Sequence, residues 1–392
     1  MGRDTRTEKE NTRKEQDMRF MFACGGTAGH INPAIAVAGR IKELLPESKF
    51  LFVGAKGKME EDLVPRAGYP IELIEITNIQ RSLSPAGIKH NVKTVLNVVK
   101  SLGASKKLIK EFQPDVVIGT GGYVCFPVLK AAQTMGIPTV LHESNAVPGL
   151  TTKMLAGGVD VMMVGFEESK AAYKNSDSVV VTGTPVRGDF RTYSKETAKT
   201  ELGIDPKEKL IVSVWGSLGA SRMNEIRPDF IADTYQTSDF NLIHAAGRER
   251  YDTMMARLGA LCPAGCSRNG YDVRPYIYDM SRVMAAADLV VCRAGASTIA
   301  ELSLMGKPCV LVPSPNVTNN HQEKNARVLE RAGGAVVLVE NGLTSARFRE
   351  TVVELIGDEQ RLNNMADAMA KAAPADATER ITDVVLNLAY NK

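Results

Sequence analysis

"CGGTAGH" (Cys24–His30) follows the apolar run Phe20-Met21-Phe22-Ala23 and precedes Asn32-Pro33. It reads as the turn between a buried strand and a helix. Glycine in such a turn costs backbone entropy and needs a reason. One reason is that backbone N–H groups at a helix start must come close to something anionic. Three further turns of this kind close apolar runs: "GTGGYVCFP" (119–127), "WGSLGAS" (215–221) and "CRAGAST" (292–298). Two lie in the front half of the chain and two in the back half.

The runs themselves, such as Val116-Val117-Ile118, Thr139-Val140-Leu141, Leu210-Ile211-Val212 and Leu289-Val290-Val291, lack polar alternation. That suits strands buried on both faces of a parallel sheet. Helix-length amphipathic stretches separate them, so the chain is built of βαβ units. A length of 392 residues is too much for one ordinary core and fits two α/β domains. The Gly/Pro-rich "VTGTPVRGDF" (181–190) marks the boundary. Loops at the carboxyl ends of parallel strands are where such sheets bind ligands.

Several function classes fall away. None of the four turns is G-x-G-x-x-G or G-x-x-x-x-G-K-[ST], and "LFVGAKG" ends the second strand without the acidic residue that would hold a dinucleotide ribose. A net charge of +3 gives no reason to expect a nucleic-acid partner. With 44% hydrophobic and 24% charged residues the chain is globular rather than disordered or fibrous. No apolar stretch approaches the roughly 20 residues of a bilayer span. The six cysteines are scattered and read as reduced thiols in a cytosolic protein. The first 17 residues alternate charges without an apolar core and read as a disordered tail.

"GGTAGHINPAIAVA", "GTGGYVCFPVL", "PTVLHESNAVPGLTTK", "VTGTPVR", "CRAGASTIAELSLMGKP", "NNHQEKNA" and "DATERI" occur in that order. Together they resemble the MurG family of N-acetylglucosaminyltransferases. The resemblance implies an α/β chain of GT-B fold, with two Rossmann-like parallel-sheet domains facing a cleft. It implies an acceptor- and membrane-facing domain over 18–182 and a UDP-sugar domain over 183–374, with a terminal helix, 375–392, packing back on the first. The reaction it implies is inverting transfer of N-acetylglucosamine from UDP to the C4 hydroxyl of undecaprenyl-diphospho-muramoylpentapeptide. No cofactor and no metal are implied, and the work is done at the cytoplasmic face of the membrane. The rival readings are another GT-B lipid glycosyltransferase with a diacylglycerol acceptor and a non-catalytic nucleotide-sugar-binding subunit.

That chemistry must deprotonate the acceptor hydroxyl and stabilise departing UDP. Glycine loops at helix starts suit the second task; Gly26, Thr27 and Gly29 are candidates in the first loop and Ser217 in the third, while Gly26 with Gly121, Gly122 and Tyr123 of the second makes an acceptor or phosphate loop. His30 opens the first helix, where the helix dipole disfavours imidazolium and leaves a ring able to accept a proton. Glu143, in "HESN", is the other candidate base. By resemblance Asn145 and Gln322 meet sugar, Arg187 faces the diphosphate, the backbone of Ile277 reads uracil, and Glu301 binds the ribose hydroxyls. Ser297 and Thr298 cap their helix or contact phosphate. Two positions depart from the family pattern: the third loop has Trp215-Gly-Ser-Leu218 where Gly-Gly-Ser-Gln is usual, and His321 stands where some relatives have glutamine. On a helical wheel of 87–103, Ile88, Val92, Val95, Val99 and Leu102 form a stripe flanked by Lys89, Lys93 and Lys100. This suits either a core-facing helix with a solvated edge or a helix lying on an anionic membrane surface.

Overall fold

A computed structural model describes residues 18–76, 85–215, 221–235, 238–262 and 270–391, with the side chains of 85–96, 98, 221 and 318 excepted. The charged tail, Ser217 and Leu218 lie outside the described residues, as do the side chains of Ile88, Lys89, Val92, Lys93 and Val95. The chain divides into two compact units. One runs up to Arg187 and takes in the chain again from Asp376; the other is Gly188–Ala375.

The first unit carries strands β1 (Arg19–Cys24), β2 (Lys49–Ala55), β3 (Ile71–Ile74), β4 (Val116–Gly121), β5 (Thr139–Glu143), β6 (Val161–Val164) and β7 (Val179–Val181). They form one sheet in the order β3-β2-β1-β4-β5-β6-β7, with parallel pairing throughout. The apolar runs are buried on both faces: Phe20, Phe22 and Phe52 pack on one side, Met21, Val53 and Val117 on the other. Helices alternate with the strands. Those used below are α1 (Ala28–Leu44), α2 (Glu60–Arg66), α3 (Pro85–Phe112), α4 (Cys125–Thr134) and α5 (Leu150–Leu155). The terminal helix, Ala377–Tyr390, packs on α1 through Ile381 and Val385. It is tied to Val186 by Thr378, whose hydroxyl accepts from Val186 N–H at 3.1 Å and donates to its carbonyl at 2.9 Å.

The second unit holds β8 (Lys209–Val214), β9 (Phe240–Ala245), β10 (Tyr271–Arg274), β11 (Leu289–Cys292), β12 (Cys309–Leu311) and β13 (Ala335–Val337). They form a parallel sheet in the order β10-β9-β8-β11-β12-β13. In each sheet the strand order reverses beside its first strand, between β1 and β4 and between β8 and β11. The first, second and fourth glycine turns leave those strands at their carboxyl ends, and residues 216–220 of the third lie outside the described residues. This is the position at which open parallel sheets take ligands.

Cys24, Cys125, Cys292 and Cys309 are free and buried. Burial pushes the thiols of Cys125 and Cys292 up to about 12. Cys262 departs from the expected reduced state and is disulfide-bonded. Unlike the four thiols held in or beside the sheets, it stands one residue beyond a helix, Tyr251–Leu261.

Candidate active site

In the first unit the first two glycine loops are locked together at the switch point. Gly25 N–H donates to Gly121 O at 3.2 Å, and Thr120 Oγ1 donates to His30 O at 2.7 Å. Gly121 and Gly122 have φ of +122° and +91°, values that side chains other than glycine avoid. Space forbids a side chain as well. A Cβ on Gly121 would lie 2.9 Å from His30 Cγ, and one on Gly122 would collide with the Gly25 carbonyl. The His30 ring therefore packs closely against backbone that only glycine can supply.

The ring is oriented by His30 Nδ1, which is 2.9 Å from Gly25 O and 3.4 Å from Thr27 Oγ1. A carbonyl oxygen only accepts, so Nδ1 carries the proton and the lone pair of the neutral ring is on Nε2. In the loop itself Gly26 N–H is spent on Glu60 Oε2 at 2.9 Å. Among the described residues no acceptor takes the N–H of Thr27 or Ala28, so these are the loop donors left for a ligand. Tyr123, in the second loop, is half exposed.

Glu143 ends β5 and is buried. Oε1 accepts from Asn145 N–H and Nδ2, both at 3.0 Å, and Oε2 accepts from Gly149 N–H at 3.0 Å and Thr152 Oγ1 at 2.7 Å. Four donors fill a carboxylate's lone pairs, and His30 is not among them. The neighbouring His142 is buried, with Nε2 2.8 Å from Gly183 O and Nδ1 3.3 Å from Ser144 Oγ. Burial holds its pKa below the usual imidazole value, so it is a neutral structural ring. Arg187 closes the unit.

In the second unit, the fourth loop leads from β11 into a helix, Ala296–Leu304, capped at Gly295 in extended conformation. Ser297 and Thr298 stand in its first turn and Glu301 in its second. A second helix, His321–Arg331, begins after Asn319 and Asn320, both left-handed with φ of +57° and +52°. It is joined to the fourth loop by Asn325 Nδ2, which donates to Ala294 O at 3.3 Å. Gln322 Oε1 accepts from Ser314 N–H at 2.9 Å, leaving its amide group for other work. The side chain of Ile277 is buried core. Tyr276 and Tyr278 on either side of it form a T-shaped pair 4.8 Å apart, with the Arg248 guanidinium over both rings. Among the described residues no cluster of three or more His, Cys, Asp or Glu could hold a metal ion.

One residue escaped the sequence reading. Glu60, fully buried at the start of α2, lies under the first loop. The signal for it was faint: an acidic residue at a helix start in "GKMEEDLVP" looks like an ordinary helix-dipole partner.

Two parallel sheets with glycine loops at both switch points, a histidine in one and a serine-threonine-glutamate helix in the other, make a two-unit α/β chain of the GT-B kind. Residues 20–164 match the model of the glycosyltransferase family 28 N-terminal domain, and 210–381 that of its C-terminal domain. The chain is 41% identical over 375 residues to the UDP-N-acetylglucosamine–N-acetylmuramyl-(pentapeptide) pyrophosphoryl-undecaprenol N-acetylglucosamine transferase of Acetivibrio thermocellus, covering 96% of this chain and 99% of that one. It is 41% identical over 368 residues to the like-named transferase of Ruminiclostridium cellulolyticum, covering 94% and 99%. The crystal structure of Acinetobacter baumannii MurG superposes with a TM-score of 0.72 at 25% identity, covering 95% of this chain and 99% of that one. The chain belongs to glycosyltransferase family 28 and, within it, to the MurG transferases.

Proposed function

We infer that the chain transfers N-acetylglucosamine from UDP to the C4 hydroxyl of undecaprenyl-diphospho-muramoylpentapeptide, with inversion. The observation that carries this reading is near-full-length identity of about 41% to transferases named for that reaction, joined to a histidine whose Nε2 lone pair is left open by the Gly25 bond.

His30 Nε2 takes the acceptor proton as the C4 oxygen attacks the sugar. Glu143 serves the loop after β5 and not the proton transfer, a division supported by its four donors. Thr27 and Gly29 of the first loop serve the donor, and Gly121, Gly122 and Tyr123 of the second face the acceptor. On the donor side Glu301 binds the ribose hydroxyls, the start of the Ala296–Leu304 helix with Ser297 and Thr298 meets phosphate, Ile277 reads uracil through its backbone, and Asn145 and Gln322 meet sugar. Arg187 and Ser217 complete the diphosphate contacts. Helix starts favour the negative charge that grows on departing UDP.

The lipid carrier of the acceptor puts the reaction at the cytoplasmic face of the membrane, with the chain bound peripherally. No described helix is long and apolar enough to cross a membrane. Support for surface contact comes from α3, where Val99 is 63% exposed next to the exposed Lys100. UDP release from UDP-N-acetylglucosamine, measured with a soluble analogue of the lipid-linked acceptor, tests the reading. Acceptor-dependent UDP release is expected, and its absence from folded, UDP-binding protein would sink it. In the same assay His30→Ala should lower kcat by about 10²–10⁴-fold while UDP binding stays at the parental level.

A further inference from the structure

Glu60 is an unusual residue to find fully buried. Glutamates are almost never so unless paired, yet among the described residues no cation meets it. Its two oxygens are taken by backbone instead, Oε1 by Ala55 N–H and Oε2 by Gly26 N–H, each at 2.9 Å. The fold clears room for it. A Cβ on Gly25 would lie 2.8 Å from Glu60 Cδ, and one on Gly54 2.5 Å from its Cγ. An apolar side chain could fill that space without the desolvation cost of a carboxylate.

The position of the bonds gives the carboxylate its meaning. Gly26 N–H and Gly25 C=O are the two ends of one peptide group. One end donates to Glu60, and the other accepts from His30 Nδ1 at 2.9 Å. A peptide whose N–H is bonded to a carboxylate carries more negative charge on its oxygen and becomes a better acceptor. We propose that Glu60 is a positioning residue acting through the Gly25–Gly26 peptide group. It holds the proton of His30 on Nδ1, and hence the lone pair on Nε2, and it steadies the imidazolium formed when Nε2 takes the acceptor proton. Catalytic bases are commonly oriented by a third group; here a peptide stands between that group and the ring. The titratable side chains next to this relay are the thiols of Cys24 and Cys125. Burial raises both, with Cys125 and Glu60 adding to the rise at Cys24, so near neutral pH neither brings a competing charge. The relay rests on the reading of His30 as the base.

The test uses full-length protein labelled with ¹⁵N-histidine, the His30 signals being assigned by their loss in His30→Ala. In the parent His30 should show the Nδ1–H tautomer. Glu60→Gln keeps the size but offers one acceptor oxygen for two N–H groups. It should move His30 toward a mixture of tautomers and lower kcat about ten- to a hundredfold, with the Kd for UDP within about twofold of the parent as the stated criterion. Glu60→Asp, which keeps the charge at shorter reach, should fall between parent and Glu60→Gln. A folded Glu60→Gln protein with parental His30 signals and parental kcat overturns the proposal. Should neither variant fold, the parent labelled with ¹⁵N-glycine decides: the Gly26 amide proton should be downfield and slow to exchange, and a fast-exchanging, upfield Gly26 amide overturns the relay. A parental kcat in His30→Ala would overturn the base assignment alone, and the tautomer shift in Glu60→Gln would still decide the relay.

Discussion

Glu143→Gln separates the two candidate bases. The amide oxygen can keep both Asn145 donors now on Oε1. The new NH₂ group then faces Gly149 N–H and Thr152 Oγ1, which now donate to Oε2. The threonine hydroxyl can turn and accept, but Gly149 N–H meets another donor and loses its partner. A bond to a charged group is worth about 1.5–3 kcal/mol, and the three survivors lose charge assistance that roughly doubles such a bond. The sum is about 3 kcal/mol or more, a large share of the 5–15 kcal/mol that holds an ordinary domain together. For a unit of this size that corresponds to a fall in Tm of roughly 6–12 °C. Thermal melting followed by circular dichroism should show it. At a temperature where the variant is folded, kcat should fall less than tenfold, and variant and parent should share the same decline of turnover on the acid side. Parental melting with a loss of kcat beyond a hundredfold, and with the acid limb gone, would refute the reasoning and move the base to Glu143.

Gly121→Ala should displace the His30 ring, because φ is +122° and the new Cβ would sit 2.9 Å from His30 Cγ; about 1–3 kcal/mol of strain should accompany a clear drop in kcat with UDP affinity unchanged in calorimetry. Glu301→Ala should weaken UDP binding by about ten- to a hundredfold, the worth of a hydrogen bond to a charged group, with acceptor KM little changed; unchanged UDP affinity in a folded variant would remove the ribose assignment. Stability should fall as pH drops below about 6.5. Burial lowers the pKa of His142, and burial followed by the Arg227 charge lowers that of His244, so the unfolded chain takes up protons that the native rings refuse. At Asp288, burial acts upward but the bonds from Lys199, Lys195 and Leu210 N–H outweigh it and hold the carboxylate below its usual range. Its stabilisation is present above the unfolded carboxylate range and is lost as pH falls through the depressed native value. Urea midpoints that stay level from pH 7.5 to 4 would contradict the histidine assignments, and the absence of a further fall below pH 4 would contradict that of Asp288.

The sequence alone determined the parallel α/β architecture, because runs such as Val116-Val117-Ile118 carry their burial pattern locally and need no partner to be read. It located the four glycine loops for the same reason: a turn with Gly121 and Gly122 declares its backbone freedom in its own residues. It put His30 at a helix start beside such a loop, which made the ring a candidate base. Tertiary structure alone decided what each polar group is bonded to. His30 and Glu143 were both candidate bases in the sequence. Only the folded chain fills one with donors from Asn145, Gly149 and Thr152 and leaves Nε2 of the other open. Only the folded chain brings Glu60, 34 residues along from Gly26, under the first loop, or returns the helix at Ala377–Tyr390 to the first unit. The physical reason is one of range. Hydrophobic periodicity and turn chemistry act between residues a few positions apart and are written in the local order of the chain. Hydrogen-bond partners at a switch point come from different βαβ units, and strand order and register, not sequence spacing, bring them within 3 Å.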